Sequence, residues 1–233
     1  MKILQFDSPL MRFLSKLADF LIIDLLTLFL CVPIITGGAA ITALNYCALK
    51  IVRDDEDGIF KMYFRSFKQN FRQSTVIWLI CLLVGGFLGF DFYMLYADEN
   101  SIAGYLFWGL VLAAALLLFL MSTVFLVQSK FVNPVLKTIK SAFVLSLRNF
   151  PITLLVVLSM IAIPVLCFFA PVALPIGLCS MFSFPAFVAA KFYDKPFKAM
   201  EKKFLDAHPE LDPSANDEHI FSDDPIEGNA ENR

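Results

Sequence analysis

The sequence predicts an all-α fold, a polytopic membrane bundle of five or six helices with interfacial amphipathic helices on the cytoplasmic side. Of its 233 residues, 58% are hydrophobic, and the mean hydropathy is +0.72. Lys, Arg, Asp and Glu are absent from four long runs, residues 25–49, 76–90, 102–129 and 149–190. Backbone amides in hydrocarbon must be bonded within their own segment, so runs of this length are expected to cross the membrane as helices.

Charge is distributed unevenly along the chain, although the net charge is only −2. Residues 206–233 hold 9 of the 21 acids and a single base, Arg233, which leaves 18 bases and 12 acids in residues 1–205. The acidic segment has few large apolar residues, so it cannot bury enough surface to offset the entropy of ordering it. We therefore expect a helical membrane domain over 1–205 and a disordered cytoplasmic tail over 206–233.

The first apolar block, residues 17–51, is interrupted by Pro33 and by the pair Gly37-Gly38. Proline removes a hydrogen-bond donor from a helix, and paired glycines relax the backbone. Two helices are expected, over about 17–33 and 39–52. They form either a hairpin that crosses twice or one long kinked crossing, and the sequence leaves this choice open.

The polar stretch that follows predicts an interfacial helix over about 58–73. Its phenylalanines recur at helical spacing, and a base follows each of them. These bases are Lys61, Arg65, Lys68 and Arg72. Rings in the acyl boundary and bases toward phosphates are typical of helices on membranes with anionic head groups. We expect those head groups, and no nucleic acid, as the partner of this stripe. A second basic amphipathic helix is expected over 132–149.

Further crossings are expected over about 75–96 and 102–128. The last apolar block, 150–190, is too long for one crossing, and prolines interrupt it. They are Pro164, Pro171 and Pro175. We expect two helices joined near 169–171, with the prolines marking either a turn or a second broken helix.

The distribution of bases predicts the orientation of the chain. Lys and Arg cluster in residues 53–74, 130–149 and 191–203, whereas the connections 97–101 and 169–171 contain none. Basic loops stay in the cytoplasm. The C-terminus is therefore expected in the cytoplasm, and so is the N-terminus if the first block forms a hairpin.

The run from Val32 to Leu44, read together with the Phe-rich basic stretch 64–73, resembles the YesL-like family of bacterial integral membrane proteins. Members typically show a Pro-x-x-Thr-x-Gly turn at the end of the first helix, then small residues, then a Phe-rich basic helix before another span. Pro33, Thr36 and Gly38 occupy that turn here. The similarity extends over about residues 15–200 and leaves the acidic tail outside.

The resemblance implies a location in the bacterial plasma membrane and a part in sugar or oligosaccharide uptake. Members of the family are often encoded beside carbohydrate ABC transporters and glycan-degrading enzymes, which implies ABC sugar permease subunits as partners. The family is mostly uncharacterised, and it has no established active site. The resemblance therefore implies no catalytic residue in this chain.

The interruption after the first helix is one candidate site for a polar solute. A broken helix exposes backbone amides and carbonyls, and hydroxyls lie beside them. The candidate residues are Pro33, Thr36, Gly37, Gly38 and Thr42. The alternative interpretation is a tight turn whose glycines allow close packing of helices.

Asp24 is the strongest single candidate, because an ionisable group inside an apolar helix normally has a partner or lines a wet cavity. It is expected to serve proton coupling or sugar recognition, or else to form a salt bridge or helix cap. Asn45 is a candidate hydrogen-bonding partner across the hairpin. Gly85 and Gly89 allow close helix approach, either within one subunit or in a dimer.

Enzyme motifs are absent from the sequence: it has no phosphate-binding loop and no HExxH, and both histidines lie in the tail. Its five cysteines lie in apolar runs, where they are expected as small buried hydrophobes. We expect no enzymatic activity, no cofactor and no metal. The favoured function is an accessory or component of carbohydrate uptake. The alternatives are a small autonomous transporter or channel, and a signalling or assembly scaffold. The oligomeric state is left open.

Overall fold

A computed structural model of the chain describes residues 9–54, 58–96, 101–131, 134–170, 172, 174–178 and 180–207. All regular elements within these residues are helices, which confirms the all-α class. In chain order they are α1 (Pro9–Cys31), α2 (Gly37–Val52), α3 (Ile59–Tyr96), α4 (Ser101–Lys130), α5 (Val135–Arg148), α6 (Phe150–Phe169), α7 (Leu174–Leu178) and α8 (Ser183–Ala207), with a 3-10 turn over Ile34–Thr36.

Four stretches are long and apolar enough to cross a membrane: Ile34–Val52, Ile59–Leu95, Leu106–Lys130 and Phe150–Phe169. Their lipid-compatible surfaces are the reason that so many large apolar side chains are exposed. Leu83 and Phe87 of α3 are 62% and 65% exposed, and Leu112 of α4 is 62% exposed. Faces of this kind are stable only against lipid or another apolar surface. The chain is a membrane protein.

The first two helices form a hairpin, so the alternative of one long kinked crossing is wrong. The helical hydrogen-bond pattern stops at Cys31 and resumes after the 3-10 turn. The parts of α1 and α2 remote from this turn lie close together, since Lys16 Nζ of α1 lies 2.7 Å from Asp54 Oδ1 just after α2. The chain therefore reverses its direction between the two helices, as Pro33 predicted.

The change in composition predicted two separate elements, a basic helix over 58–73 and a span over 75–96. This prediction is wrong, because both belong to one continuous helix, α3. The residues from Ile59 to Val84 include no proline or glycine, so nothing in this stretch favours a break. At 1.5 Å per residue, 38 residues extend about 57 Å, against about 30 Å for a hydrocarbon core. The charged first part therefore continues the axis of the apolar part.

The second basic helix is separate from the span that follows it. α5 ends at Arg148, and Asn149 interrupts the helix with φ −113° and ψ 42° before α6 begins. Pro151 lies in the first turn of α6, where a missing backbone N–H costs nothing. The difference from α3 is thus explained by one proline.

The last apolar block departs from expectation. α6 ends at Phe169 as predicted, and Pro164 does not end it. A full crossing over the following residues is not formed in the described part of the chain. Instead, α7 has five residues, and α8 begins only at Ser183. In the described residues after α6, the helical segments are thus the short α7 and the later α8.

The core is formed where α2, α3, α4 and α5 pack together. Residues 122–129 of α4 are all buried, so this part of α4 is enclosed on every side. Tyr63 and Ile77 of α3 and Leu44 of α2 are among the largest buried side chains. Towards the start of α4, by contrast, the side chains of residues 106–121 are exposed or half-buried.

The chain divides into two compact units, residues 1–192 and 193–233, and the division falls within α8. In the second unit the described residues continue α8 to Ala207. Lys198 Nζ lies 2.7 Å from Asp194 Oδ2, one helical turn earlier. Almost all of the predicted acidic tail, residues 208–233, lies outside the described residues.

Candidate functional site

Asp24 of α1 binds the beginning of α8. Its Oδ1 accepts hydrogen bonds from two backbone groups, Phe182 N–H at 2.9 Å and Ser183 N–H at 2.5 Å. One turn away on both helices, the rings of Phe20 and Phe187 meet edge to face with centroids 5.3 Å apart. The first turn of α8 therefore runs beside α1 in the opposite direction. The carboxyl lies where the helical hydrogen bonds of α8 begin.

The surroundings of Asp24 stabilise negative charge at one carboxylate oxygen, Oδ1, and not at the other, Oδ2. The first N–H groups of a helix lack partners within the helix and carry partial positive charge. Oδ1 of Asp24 satisfies two such groups around the start of α8. Asp24 is 0% exposed, and none of the described polar atoms bonds its second oxygen, Oδ2. The site thus combines an occupied helix terminus with an unpaired buried oxygen.

Both predictions for Asp24 are partly resolved by this geometry. Of the expected roles, the contact with the start of α8 fits a helix cap, and Oδ1 bonds the backbone of residues 182–183 rather than a base. Asn45 as its partner is wrong, because Asn45 Nδ2 donates to Ile41 O of its own helix at 2.9 Å. Phe182 and Ser183 were missed by sequence reasoning. The signal was local and weak: a serine at a helix start with Pro185 in the first turn.

A second polar cluster ties three helices together one turn beyond Asp24. The Thr27 and Tyr63 hydroxyls lie 2.8 Å apart, and the Tyr63 hydroxyl donates to Ala40 O at 3.2 Å. Both side chains are fully buried. Because α1, α2 and α3 each contribute one group, this cluster fixes the position of the hairpin against α3.

The predicted solute site around Pro33 and Thr36 has its polar groups satisfied within the chain. The Thr36 hydroxyl bonds Leu30 O and lies 2.7 Å from Pro33 O, and Trp78 Nε1 donates to Ile34 O at 2.6 Å. These bonds hold the end of α1 and the turn against α3. They leave the carbonyls with partners and favour the tight-turn interpretation.

Gly37, Gly38 and Thr42 form the packing surface between α2 and α3. A Cβ on Gly38 would lie 2.5 Å from Ser74 O and from Trp78 Cβ, and one on Gly37 would lie 3.2 Å from the Trp78 ring. The Thr42 hydroxyl lies 2.9 Å from that of Ser74. The glycines are therefore needed for close approach, which also favours packing over solute binding.

The predicted basic stripe on α3 faces outward. Lys61, Lys68 and Arg72 are exposed and Arg65 is half-buried, while Tyr63 and Ser66 of the same segment face the core. Two of the predicted phenylalanines, Phe60 and Phe64, are also exposed, at 56% and 42%. The first part of α3, which continues the axis of the apolar span, thus presents rings and bases outward together.

The two glycines predicted to allow close approach behave differently. A Cβ on Gly85 would lie 3.7 Å from Leu117 of α4, an ordinary contact between helices of the same chain. A Cβ on Gly89 would meet nothing within 4 Å. The packing interpretation is therefore supported at Gly85, and Gly89 has no part in it.

Sequence reasoning also missed amide side chains, buried at Gln128 and half-buried at Asn70 and Gln73, that join α3, α4 and α5. Gln128 Nε2 donates to Asn70 Oδ1 at 3.4 Å, and Gln73 Nε2 donates to Thr138 Oγ1 at 3.3 Å. Among the described residues, no group of three or more His, Cys, Asp or Glu is placed to hold a metal ion. The amide cluster serves to join the helices at a polar seam.

One part of the chain is similar to a known protein family. No curated protein and no solved structure matches it. Residues 20–92 match the model of a family described as a protein of unknown function, DUF624. The matched segment contains Asp24, all of α2 and most of α3, so it includes the hairpin, the Pro33 turn and the basic stripe. The chain is thus similar, over this segment, to an uncharacterised family.

Proposed function

We propose that this membrane protein is an accessory or component of carbohydrate uptake, specifically of oligosaccharides, in a bacterial plasma membrane. The observation that carries the proposal is the turn of Pro33, Thr36 and Gly38 between α1 and α2. It resembles the turn of the YesL-like family, whose members are often encoded beside carbohydrate ABC transporters. The partners proposed are ABC sugar permease subunits, and the role is that of a binding partner rather than an enzyme.

The arrangement of α3 supports a fixed orientation beside such a permease. Its exposed bases, Lys61, Lys68 and Arg72, follow the same helix axis as the apolar span. We place these bases against anionic head groups of the cytoplasmic leaflet, with both termini in the cytoplasm. The exposed apolar faces of α3 and α4 then present the side of the molecule to other membrane helices.

A pull-down from native membranes tests this proposal. The tagged full chain is extracted in mild detergent, and its partners are identified by mass spectrometry. Stoichiometric sugar-permease subunits are the expected result. A Gly38→Val variant, which disrupts the α2–α3 contact, is expected to lose them, whereas Gly86→Val on an open face of α3 keeps them. Recovery of the wild-type chain alone at native expression contradicts the proposal.

A second candidate function, an autonomous transporter, is favoured by one observation. After α6 the described residues form the short helix α7 and then α8, and α8 begins at the buried carboxyl of Asp24. Interrupted helices that meet at a charged group are typical of transporter binding sites. Solute flux into vesicles that contain the purified protein tests this candidate. Flux that Asp24→Asn abolishes and Asp19→Asn preserves is the expected result, and no flux across a broad solute panel contradicts it.

A further inference from the structure

We propose that Asp24 Oδ2 is a proton-binding site, and that proton binding there controls how firmly the N-terminus of α8 docks on α1. The inference deepens the transporter candidate by naming the proton as the coupling ion. It rests on that candidate only for its use in transport. The docking itself requires no transported solute.

The two oxygens of Asp24 have opposite surroundings. Oδ1 accepts both N–H groups, from Phe182 and Ser183, while Oδ2 is buried and has no partner among the described residues. The helix terminus favours the carboxylate, and burial of an uncompensated oxygen favours the neutral acid. Because these two influences oppose each other at one carboxyl, the site is suited to exchange a proton. Oδ2 is the atom that can take it without breaking either existing hydrogen bond.

The surroundings point to a proton rather than a metal ion. Among the described residues, Cys31 on α1 and Tyr63 on α3 lie close enough to interact electrostatically with Asp24, and Cys47 of α2 interacts in the same way with Tyr63. In α8, residues 183–190 contain no ionisable side chain. No second carboxylate or histidine joins Asp24 in a group able to hold a metal among the described residues. A site with one ionisable oxygen and no further charged ligand suits a single proton.

Protonation changes the strength of the contact with α8. The carboxylate forms two charge-assisted hydrogen bonds to the start of α8, and the neutral acid forms weaker ones. The Phe20–Phe187 ring contact does not depend on charge, so it persists in both states. We infer that proton uptake loosens residues 182–183, while the Phe20–Phe187 contact keeps the following turn of α8 beside α1.

Amide hydrogen exchange on the full chain in lipid nanodiscs tests this inference. The peptide covering residues 180–190 is followed by mass spectrometry between about pH 8 and about pH 3.5, a range that includes the ordinary pKa of an aspartate, about 3.9, and rates are corrected for intrinsic exchange. Protection is expected to fall roughly five- to tenfold on acidification. This fold-change corresponds to the difference in free energy between a charge-assisted and a neutral hydrogen bond. The Asp24→Asn variant keeps a carbonyl acceptor but cannot ionise, so its protection should be independent of pH.

The matched control is Asp19→Asn, on the same helix, which should retain the wild-type pH response. An infrared difference spectrum of the wild type should gain a carboxylic-acid band on acidification, and this band should be missing in Asp24→Asn. Equal pH responses in wild type and Asp24→Asn overturn the inference, as does loss of the response in Asp19→Asn. Protection that follows sodium at constant pH instead of acidity overturns the identity of the ligand. None of these readouts measures flux, so failure here differs from failure of the transport candidate.

Discussion

Asp24 and Ser183 are 159 positions apart in the chain, and the carboxylate Oδ1 of the first accepts the backbone N–H of the second at 2.5 Å. This contact decides where α8 begins. The apolar residues after α6 have the composition of another crossing. Nevertheless, α8 starts at Ser183, whose backbone N–H bonds the buried carboxylate of Asp24. A charged residue that is costly inside an apolar helix thereby acquires a structural partner.

Replacing Asp24 by leucine should destabilise the protein. The change leaves the N–H groups of Phe182 and Ser183 buried without an acceptor, at a cost of roughly 1–3 kcal/mol. Asp24→Asn retains an acceptor oxygen and should cost less. Unfolding of the purified protein in mixed micelles with increasing SDS measures the difference. Equal stability of the leucine and asparagine variants would show that these hydrogen bonds contribute nothing.

Replacing Gly38 by alanine should destabilise the α2–α3 contact. The added Cβ would lie 2.5 Å from the Ser74 backbone oxygen, and a backbone atom cannot move away as easily as a side chain. Overpacking of this kind costs about 1–3 kcal/mol. Gly86→Ala is the control, since a Cβ there meets nothing within 4 Å. Thermal unfolding in detergent should place the Gly38 variant below wild type and the Gly86 variant at or above it.

Replacing Tyr63 by phenylalanine should loosen the hairpin. The hydroxyl bonds both Thr27 and Ala40 O, and its loss leaves buried polar groups with fewer partners, at a cost of about 1 kcal/mol. A double-mutant cycle with Thr27→Val isolates the pair, and a coupling of roughly 0.5 kcal/mol or more is expected for residues in direct contact. Tyr93→Phe, at a 70% exposed position, should be neutral. Strictly additive effects of the Tyr63 and Thr27 changes would refute the coupling.

Neutralising the exposed bases of α3 should weaken the retention of anionic lipid. Each base near an anionic surface contributes about 1 kcal/mol, so Lys61→Gln, Lys68→Gln and Arg72→Gln together should lower retention by at least tenfold. Native mass spectrometry of the protein with bound lipids checks this result. Lys-to-Arg and Arg-to-Lys changes at the same positions keep the charge and serve as the control. Retention that is unchanged in the glutamine variant would remove lipid head groups as the partner of the stripe.

Much of the fold follows from local composition. The long uncharged runs predicted α4 and α6, and Pro33 predicted the break between α1 and α2. Three of the four bases of the stripe are exposed on α3 and Arg65 is half-buried, since side chains at helical spacing share a face in any helix. The prediction for α3 was wrong because the change from basic to apolar residues marks a change in the surroundings of the helix and not the end of one helix and the start of another. Composition indicates the surroundings of a segment, whereas the end of a helix depends on local backbone conformation, as at Asn149 before Pro151.

The sequence by itself determined the class of protein, because the cost of burying charge and unpaired backbone in hydrocarbon depends only on which residues lie in each run. It also identified Asp24 as an acid that requires a partner. Which partner that acid has, and where α8 begins, was decided by the tertiary structure. The hydrogen bonds from Phe182 and Ser183 join residues from opposite ends of the chain, and backbone N–H groups carry no sequence signature. The packing of α8 against α1 brings them together.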